Sequence, residues 1–455
     1  MNSLTGRHLA RLVLDQYENE DAYLNLALTR ILNRFNQADR REKDFCSELV
    51  YGVSRHLLKI DFILGRLLSR PLDSLKTPVK NILRIAIYQL LRLPEIPEHA
   101  VVNSAVVETK NSKYSGLAGL VNGVLRNYLR KRDEIDLANR EAEPAKYLSL
   151  EYSHPSWLVE RWLKRFGLET TELILKTNNE NPPLTVRINQ HLADCKEFKN
   201  ELLSQGIHWL EGRFLEEAII LRDLPCALIE LSHFQEGKIF VQDESSMLVG
   251  HLLAPRAGET IVDLCAAPGG KSTHLAELTD DRSHIISIDD HPHKIALIRE
   301  NASRLKLESI EPVLGDARQV FAGDDRQVDA VLVDAPCSGT GVLRRRVDAR
   351  YRRKPEDIRE LVVLQRDILE KAARLVRPGG RLVYSTCTLE PEENQEQIRN
   401  FIENHPEFRI EPYSEFLPGE LESCLAEPGS QWATLLPSSN GGDGFFMCRL
   451  KRVSL

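Results

Sequence analysis

The spacing of apolar residues predicts helices over residues 1–140. Apolar side chains recur at three- and four-residue intervals, the repeat of an amphipathic helix, at Leu9, Leu12, Val13, Ile82, Leu83, Ile85, Ala86 and Leu90. Breaks at Arg70-Pro71, Thr77-Pro78 and the Pro94/Pro97 pair separate the helical stretches. No strand pattern competes with this one, so we expect a compact all-α bundle.

The pattern becomes mixed between about residues 141 and 235. A charged stretch from Arg130 to Pro144 comes before it and is interpreted as a linker. A helix is predicted to open at Pro155, with an apolar stripe of Trp157, Leu158, Trp162 and Phe166. Residues 184–189 alternate as a strand does. We predict a small α+β module here.

Strands and helices alternate from about residue 236 onward. Strands are predicted at residues 260–264, 285–289, 311–314, 328–333 and 381–385. A helix is predicted over 355–376, ended by Arg377-Pro378-Gly379-Gly380. Apolar strands alternating with helices are typical of a parallel, Rossmann-like α/β sheet covered on both faces. Because such sheets bind ligands beyond the carboxyl ends of their strands, the loops after the strands form the candidate site.

Length and composition fit a chain of several domains. The 455 residues exceed the ~100–200 of one domain, so two or three are expected. No apolar run approaches the ~20 residues needed to cross a bilayer, and the start lacks the apolar core of a signal peptide, so a cytoplasmic protein is predicted. The eight cysteines form no C-x-x-C pair, and no metal is expected. The net charge of −7 argues against general nucleic-acid binding but permits a local basic patch.

The loop after the first of these strands has the composition of a cofactor site. It reads Asp-Leu-Cys-Ala-Ala-Pro-Gly-Gly-Lys over residues 263–271, and its small residues allow a ligand to approach the backbone closely. A phosphate-binding P-loop is the competing interpretation, but it requires glycine where Cys265 stands. S-adenosylmethionine is the favoured ligand. Asp289 ends the next strand, where an acidic residue would bind the ribose hydroxyls of this cofactor, and Asp316 ends the third strand, where it would reach the adenine. Either carboxylate taken alone could be a helix N-cap.

Two cysteines follow later strands. Cys337 stands in Asp-Ala-Pro-Cys-Ser-Gly-Thr-Gly (334–341), and Cys387 stands in Ser-Thr-Cys-Thr (385–388). A strand cysteine is usually buried and inert, but two at the ligand rim, one near an aspartate, favour a reactive role. Methylation of cytosine at C5 would use such groups, because a thiolate that adds to C6 makes C5 nucleophilic and a carboxyl group from Asp334 near N3 stabilises the adduct. The residues alone do not rank the two cysteines.

These motifs together resemble a known family. The loops at 263–271, 334–341 and 385–388, with Asp-Gly-Phe-Phe at 443–446, are similar to those of the RNA cytosine-C5 methyltransferases. The helical segment resembles the antitermination factor NusB. Its Leu-Val-Tyr-Gly-Val (49–53) and Leu-Val-Asn-Gly-Val-Leu-Arg-Asn (120–127) resemble the bacterial RsmB/Sun/Fmu branch, whose members modify small-subunit ribosomal RNA.

The resemblance implies transfer of a methyl group from S-adenosylmethionine to C5 of a specific cytosine in 16S ribosomal RNA. It implies a NusB-like domain at 1–140, a small RNA-recognition module at 141–235 and a methyltransferase domain at 236–455. Cys387 would be the nucleophile and Cys337 would help product release, with Asp334 and Lys271 completing the catalytic set. The implied cofactor contacts are Cys265, Ala266, Ala267, Pro268, Gly269, Gly270, Lys271, Asp289, Asp316 and Asp334. The alternative is a non-catalytic RNA-binding or antitermination factor with a retained methyltransferase fold.

A basic run directly follows the Cys337 loop. It contains a single acid, Asp348, and the arginines Arg344, Arg345, Arg346, Arg350, Arg352 and Arg353. A solvated face is the plain explanation of a charge run, but its place beside the reactive loop favours contact with RNA phosphates. We also hypothesise that the strand around Arg187 and the helical bundle help to select the RNA site. The expected partner is small-subunit ribosomal RNA, bound by a monomer without membrane or metal.

Overall fold

The computed structural model describes residues 4–20, 22–321, 323 and 325–453. The chain divides into two compact units. The first unit comprises Met1–Glu180 with Arg346–Arg352, and the second comprises Asn181–Arg345 with Arg353–Leu455.

The long chain segment of the first unit is helical. Its helices are α1 (Gly6–Glu20), α2 (Leu24–Arg34), α3 (Arg40–Arg55), α4 (Leu57–Leu67), α5 (Thr77–Arg92), α6 (Glu98–Lys110), α7 (Ala118–Lys131), α8 (Pro144–Tyr152) and α9 (Ser156–Thr177). Leu9, Leu49 and Leu83 are buried in one core, which confirms the predicted bundle. Gly52 lets α3 approach α5 closely, because a Cβ there would lie 2.0 Å from the ring of Tyr88.

The first unit extends beyond the bundle expected at residues 1–140. Both α8 and α9, which the sequence pattern assigned to the α+β module, belong to it. Leu158 and Trp162 of the predicted stripe on α9 are buried. At Gly167, with φ +76°, the helix is interrupted by a kink, so α9 consists of two helical segments.

The second unit contains all the strands that the structure describes. In chain order, the elements after residue 180 are β1 (Leu184–Ile188), α10 (Cys195–Ser204), β2 (His208–Glu211), β3 (Ala218–Arg222), α11 (Ser232–Gln235), β4 (Ile239–Val241), α12 (Glu244–Leu253), β5 (Thr260–Asp263), α13 (Gly270–Leu278), β6 (His284–Asp289), α14 (Pro292–Arg304), β7 (Ile310–Leu314), β8 (Val328–Asp334), α15 (Ala349–Arg352), α16 (Pro355–Leu375), β9 (Val376–Thr386), α17 (Gln395–Asn404), β10 (Phe408–Glu411), β11 (Ala433–Leu435), α18 (Pro437–Asn440) and β12 (Phe445–Arg452). Of these, α15 belongs to the first unit.

The smaller sheet of the second unit has the strand order β2-β3-β1-β4, and its pairs are antiparallel. Phe198 and Leu202 of α10 are buried with Val186 of β1 and Ile219 of β3. One helix face therefore covers one face of the sheet, and the predicted α+β module is confirmed.

The larger sheet carries the candidate site. Its order is β10-β12-β9-β8-β5-β6-β7, with β11 paired to β12. Strands β9, β8, β5, β6 and β7 are parallel, as predicted. The complete sheet is mixed, because β12, which the sequence analysis did not predict, pairs antiparallel with β9, β10 and β11. The chain leaves β5 towards β6 on one side and later returns to β8 on the other, which creates a ligand crevice at the β5/β8 boundary.

Helix α16 packs on this sheet as the sequence predicts. Ile358, Ile368, Leu369 and Leu375 of its apolar face are buried. Among the helices that the structure describes, none is both long and apolar enough to cross a membrane.

Candidate active site

The predicted cofactor loop lies across the carboxyl ends of β5 and β6. It leaves β5 at Asp263 and enters α13 at Gly270. Gly269 between them has φ +100°, a left-handed conformation that other residues rarely adopt. The backbone NH of Ala266 donates to the carbonyl of Ile288 on β6 at 2.9 Å. The loop is therefore held where parallel sheets bind ligands.

Asp263 was not among the predicted site residues, although it begins the loop. Its side chain is buried, and Oδ2 accepts a hydrogen bond from Ser272 Oγ at 2.7 Å. Its Oδ1 has no hydrogen-bond partner among the described residues. Burial raises the pKa of Asp263 to about 7. An unpartnered buried carboxylate oxygen at a strand end is what a ligand with a donor group would complete.

Asp289 and Asp316 end neighbouring strands. Oδ2 of Asp289 accepts from the backbone NH of Ala267 at 3.1 Å, so this carboxylate helps to fix the cofactor loop. Lys294 Nζ lies 2.9 Å from the other oxygen of Asp289. Asp316 follows β7, and its side chain accepts hydrogen bonds from Arg318, which lower its pKa. Both carboxylates lie at the predicted rim, although each already has a protein partner.

Lys271 and Asp334 form an ion pair between the cofactor loop and β8. Lys271 Nζ donates to Oδ2 of Asp334 at 2.7 Å. Ser385 Oγ, from the neighbouring position on β9, donates to Oδ1 at 2.8 Å. The ammonium group also lies 5.1 Å from the ring centroid of Phe445. The aspartate is thus held in one orientation by two donors from different elements.

The structure brings the two predicted cysteines together. Sγ of Cys337, after β8, lies 3.3 Å from Sγ of Cys387, after β9. The hydrogen bond with Cys387, together with burial, raises the pKa of Cys337 well above its usual value. Cys337 therefore keeps its proton and is suited to donate it towards the sulfur of Cys387.

Three backbone segments meet at Gly341 without a side chain between them. Gly341 NH donates to the carbonyl of Cys387 at 3.0 Å, and Gly444 NH donates to the carbonyl of Gly341 at 2.8 Å. A Cβ on Gly341 would lie 2.2 Å from the carbonyl oxygen of Gly444. The glycines of the two motifs at 334–341 and 443–446 thus permit the contact that fixes the Cys387 loop.

A buried carboxylate that the sequence analysis did not identify joins the two cysteine loops. Oε1 of Glu393 accepts from the backbone NH of Ser338 at 2.8 Å and from Gln365 Nε2 at 2.9 Å. Its Oε2 accepts from Thr388 Oγ1 at 3.1 Å. Burial raises the pKa of Glu393. Its proximity to Cys387 in the sequence was the one available signal, but its contacts arise from three separate segments.

The basic run does not form a continuous RNA-facing surface. Arg344 is 3% exposed and donates to Asp443 at 3.0 Å. Arg345 bridges Asp443 and Asp243, at 2.6 Å and 2.7 Å. Arg353 donates to the carbonyl of Ser338 at 3.2 Å. These contacts stabilise the loops of the second unit. Because Arg344 is buried, the expectation that it contacts RNA is corrected.

The remaining arginines of the run belong to the first unit. Arg350 is 1% exposed and donates to Asn179 Oδ1 at 2.8 Å, so its expected contact with RNA is also corrected. Arg352 donates to the carbonyl of Ala22 at 2.5 Å. Arg346 is exposed.

Arg187 supports the cofactor loop, although an RNA-binding role was expected for its strand. It is fully buried on β1 and pairs with Glu277 of α13 at 2.6 Å. It also donates to the carbonyl of Gly270 at 2.8 Å. The small sheet therefore holds the first turn of α13, and Arg187 is not available to RNA.

Comparison with protein families and solved structures identifies the relatives of this chain. Residues 250–451 match the family "16S rRNA methyltransferase RsmB/F", residues 5–130 match the NusB family, and residues 154–227 match the ferredoxin-like domain of RsmF/B-like methyltransferases. The chain is 38% identical over 456 residues to the "Probable ribosomal RNA small subunit methyltransferase B" of Bacillus subtilis (strain 168), covering 99% of this chain and 100% of that protein.

Two solved structures share the fold. The crystal structure of PH0851 has a TM-score of 0.81 and 26% identity, covering 98% of this chain and 99% of that one. NSun6 from Pyrococcus horikoshii, solved with SFG, has a TM-score of 0.59 and 22% identity, covering 66% of this chain and 99% of that one. The chain thus belongs to the RsmB family of 16S ribosomal RNA methyltransferases with a NusB-type N-terminal domain.

Proposed function

We propose that this enzyme transfers a methyl group from S-adenosylmethionine to C5 of a specific cytosine in 16S ribosomal RNA, with Cys387 as the nucleophile. The observation that carries the proposal is the pair of sulfurs 3.3 Å apart at the ends of β8 and β9. They share this rim with the Asp334 carboxylate and the cofactor loop. The proposed location is the cytoplasm, where the enzyme acts as a monomer.

The cofactor loop fits S-adenosylmethionine in its chemistry. Gly269 takes the left-handed conformation that turns the loop into α13, and Asp263 Oδ1 offers an unpartnered acceptor. We assign the cofactor contacts to residues 265–271 with Asp289, Asp316 and Asp334, and we add Asp263. When bound, S-adenosylmethionine supplies a methyl group on a positively charged sulfur that leaves as a neutral thioether.

The protein side chains then perform the steps on the base. The Cys387 thiolate adds to C6 of cytosine, and the electron pair of the C5–C6 double bond becomes available at C5 for the methyl group. Asp334 shares a proton with N3 and passes it to that nitrogen as negative charge develops on the ring, which neutralises the adduct. Water takes up the C5 proton, and the electron pair of the C5–H bond re-forms the C5–C6 double bond as the Sγ–C6 bond breaks, which restores the aromatic ring and the Cys387 thiolate. Cys337, which holds its proton, assists this release by hydrogen-bonding to the departing Cys387 sulfur.

The target base must leave its stack to reach the thiolate, so single-stranded or distorted RNA is the expected substrate form. We assign phosphate contacts to Arg346, which is exposed, since Arg344 and Arg350 are buried. Phosphate contacts position the strand without selecting its sequence.

Transfer of labelled methyl to 16S ribosomal RNA tests the proposal. Cys387→Ala is expected to lower the rate at least about a thousandfold, because the adduct that activates C5 forms through the Cys387 sulfur. Cys337→Ala is expected to accumulate a covalent protein–RNA adduct. The half-exposed Cys226 provides a matched control, since Cys226→Ala should leave transfer unchanged.

The label should be found at C5 of cytosine. Full activity of Cys387→Ala would refute its assignment as the nucleophile. If the wild-type protein binds 16S ribosomal RNA but transfers no methyl group, the non-catalytic binding factor is the better description.

A further inference from the structure

Glu217, His251 and His274 meet outside the catalytic site and form what we call the Glu–His–His cluster. Glu217 directly precedes β3, His251 lies on α12 and His274 lies on α13. Oε1 of Glu217 lies 2.6 Å from Nε2 of His251 and 3.3 Å from Nε2 of His274. One atom of each residue that could ligate a metal lies within 4.8 Å of the other two.

The cluster combines a buried side with an accessible one. The side chains of Glu217 and His274 are 4% and 2% exposed, whereas that of His251 is 28% exposed. Neither ring nitrogen of His274 makes a hydrogen bond among the described residues. Its Nε2 lies 3.3 Å from Oε1 of Glu217 without the alignment of a hydrogen bond, so the hydration that burial removes from the imidazole is only partly replaced. The ring is thus placed to bind something beyond its protein neighbours.

We propose that the Glu–His–His cluster binds Zn²⁺. Zinc takes imidazole nitrogens and carboxylate oxygens at about 2.0–2.2 Å in a tetrahedron, which separates neighbouring ligand atoms by about 3.3 Å. The Glu217–His274 distance of 3.3 Å has this value. The Glu217–His251 distance of 2.6 Å is shorter than this value, and the partly exposed ring of His251 has room to adjust. Two histidines and one glutamate leave a fourth position for water, as in other zinc sites with three protein ligands.

The surroundings of the cluster suit a divalent cation. Glu217 supplies a negative charge, and neutral imidazoles add none. Arg187 is close enough to act electrostatically on His274, but its guanidinium donates to both carboxylate oxygens of Glu277 at 2.6 and 2.7 Å. Its charge is therefore balanced. Gly250 lets the His274 ring pack closely against α12, because a Cβ at this position would lie only 2.7 Å from Nδ1 of His274.

A metal at this position would join two parts of the second unit. Glu217 belongs to the turn before β3 of the small sheet, whereas α13 begins with Gly270 of the cofactor loop. The bound ion would hold the small sheet against the helix that carries this loop. The expectation of no metal rested on cysteine spacing, and the three ligands here are too far apart in sequence to form a motif.

Titration of chelator-treated protein with Co²⁺, followed by displacement with Zn²⁺, tests the proposal. We expect one equivalent of Co²⁺ to give the visible absorption of a four-coordinate nitrogen and oxygen site, and Zn²⁺ to raise the Tm. The Cys337 and Cys387 thiols are a second conceivable metal site. Binding there would add a sulfur-to-metal charge-transfer band, so the absence of this band distinguishes the two sites.

Variants that keep the size of the side chain locate the ion. Glu217→Gln and His251→Gln are expected to weaken Co²⁺ and Zn²⁺ binding at least about tenfold and to remove the rise in Tm. His284→Gln is the matched control, because His284 is paired with Glu311 at 2.8 Å on the surface. Circular dichroism checks that each variant is folded. The proposal is overturned if the wild type shows no sulfur-free Co²⁺ spectrum, or if both folded variants bind as tightly as the wild type.

Discussion

The acidic residues around the site differ in function because their surroundings differ. Asp263 is buried with one unpartnered oxygen, and burial raises its pKa to about 7. Asp334 is paired with Lys271 at 2.7 Å. Glu393 accepts hydrogen bonds from the loops of both cysteines. One carboxylate is therefore available to a ligand, one is held in an ion pair at the end of β8, and one holds the loops of the two thiols together.

Asp263→Asn is expected to make stability less dependent on pH. The folded-state pKa of Asp263 is raised to about 7, whereas the pKa of an aspartate in the unfolded chain is about 3.9. Folding thus favours the protonated acid, and the free energy of unfolding of the wild type falls as pH rises through this window. The amide of the variant does not ionise. The free energy of unfolding of the variant therefore rises by up to a few kcal/mol relative to that of the wild type as the pH increases from about 4 to about 7.

Thermal or urea unfolding of both proteins at pH 5 and pH 8 measures this difference. The exposed Asp136 gives the control, since Asp136→Asn should show the same small effect at both pH values. An equal effect of Asp263→Asn at pH 5 and pH 8 would contradict the raised pKa.

At the scale of elements, the site depends on where strands end and on how closely loops approach. Asp334 and Ser385 occupy paired positions on β8 and β9, so the loops that follow carry Cys337 and Cys387 side by side. Arg187 of β1 holds the first residue of α13 through the Gly270 carbonyl. The geometry of the candidate site therefore depends on both sheets of the second unit.

Gly341→Ala is expected to displace the Cys387 loop. The added Cβ would lie 2.2 Å from the Gly444 carbonyl oxygen and 2.9 Å from that of Cys387, so backbone must move. Overpacking of this kind costs about 1–3 kcal/mol of stability. A displacement near 1 Å at reacting groups lowers the rate by up to about a hundredfold.

Steady-state methyl transfer and the Tm measure these two effects. Gly419→Ala is the matched control, because no atom lies within 4 Å of its new Cβ. If Gly341→Ala retains the wild-type kcat, the close contact of Gly341 with Gly444 and Cys387 does not position the proposed nucleophile Cys387.

At the scale of the whole molecule, a net charge of −7 must be reconciled with an RNA substrate. The basic run that follows Cys337 in the sequence contributes little exposed charge, since Arg344 and Arg350 are buried. The helical bundle offers other cations, because Arg126, Arg130 and neighbouring basic residues of α7 are exposed. We expect α7 to provide part of the RNA affinity, in line with the hypothesis that the helical bundle helps to select the RNA site.

The double variant Arg126→Glu/Arg130→Glu is expected to bind 16S ribosomal RNA more weakly. Each lost phosphate contact also lowers the slope of log K against log salt by about one, so a decrease of about two is expected. Arg366→Glu/Arg374→Glu on exposed positions of α16 makes the same change in net charge. Filter binding over a salt series measures both pairs, and an equal loss for both would indicate a general charge effect.

Deletion of residues 1–140 is a less suitable test of the bundle. Tyr351 OH, within the segment Arg346–Arg352, donates to the carbonyl of Ser54 at 2.8 Å. Helices α8 and α9 also pack within the first unit. A deletion would therefore expose a core and remove contacts of this segment, whereas surface substitutions leave them in place.

The sequence by itself determined the elements and the loops that carry the chemistry. Apolar strands alternate with helices, and the carboxyl ends of parallel strands meet at one edge, so Asp289, Asp334, Cys337 and Cys387 could be assigned to that edge. Tertiary structure alone decided the 3.3 Å distance between the two sulfurs, the antiparallel pairing of β12, and the contacts of Glu393. It also decided that Arg344 and Arg350 are buried and that Glu217 meets two histidines. Local periodicity reports which face of an element is apolar, whereas these contacts join residues far apart in the chain and depend on how the elements pack.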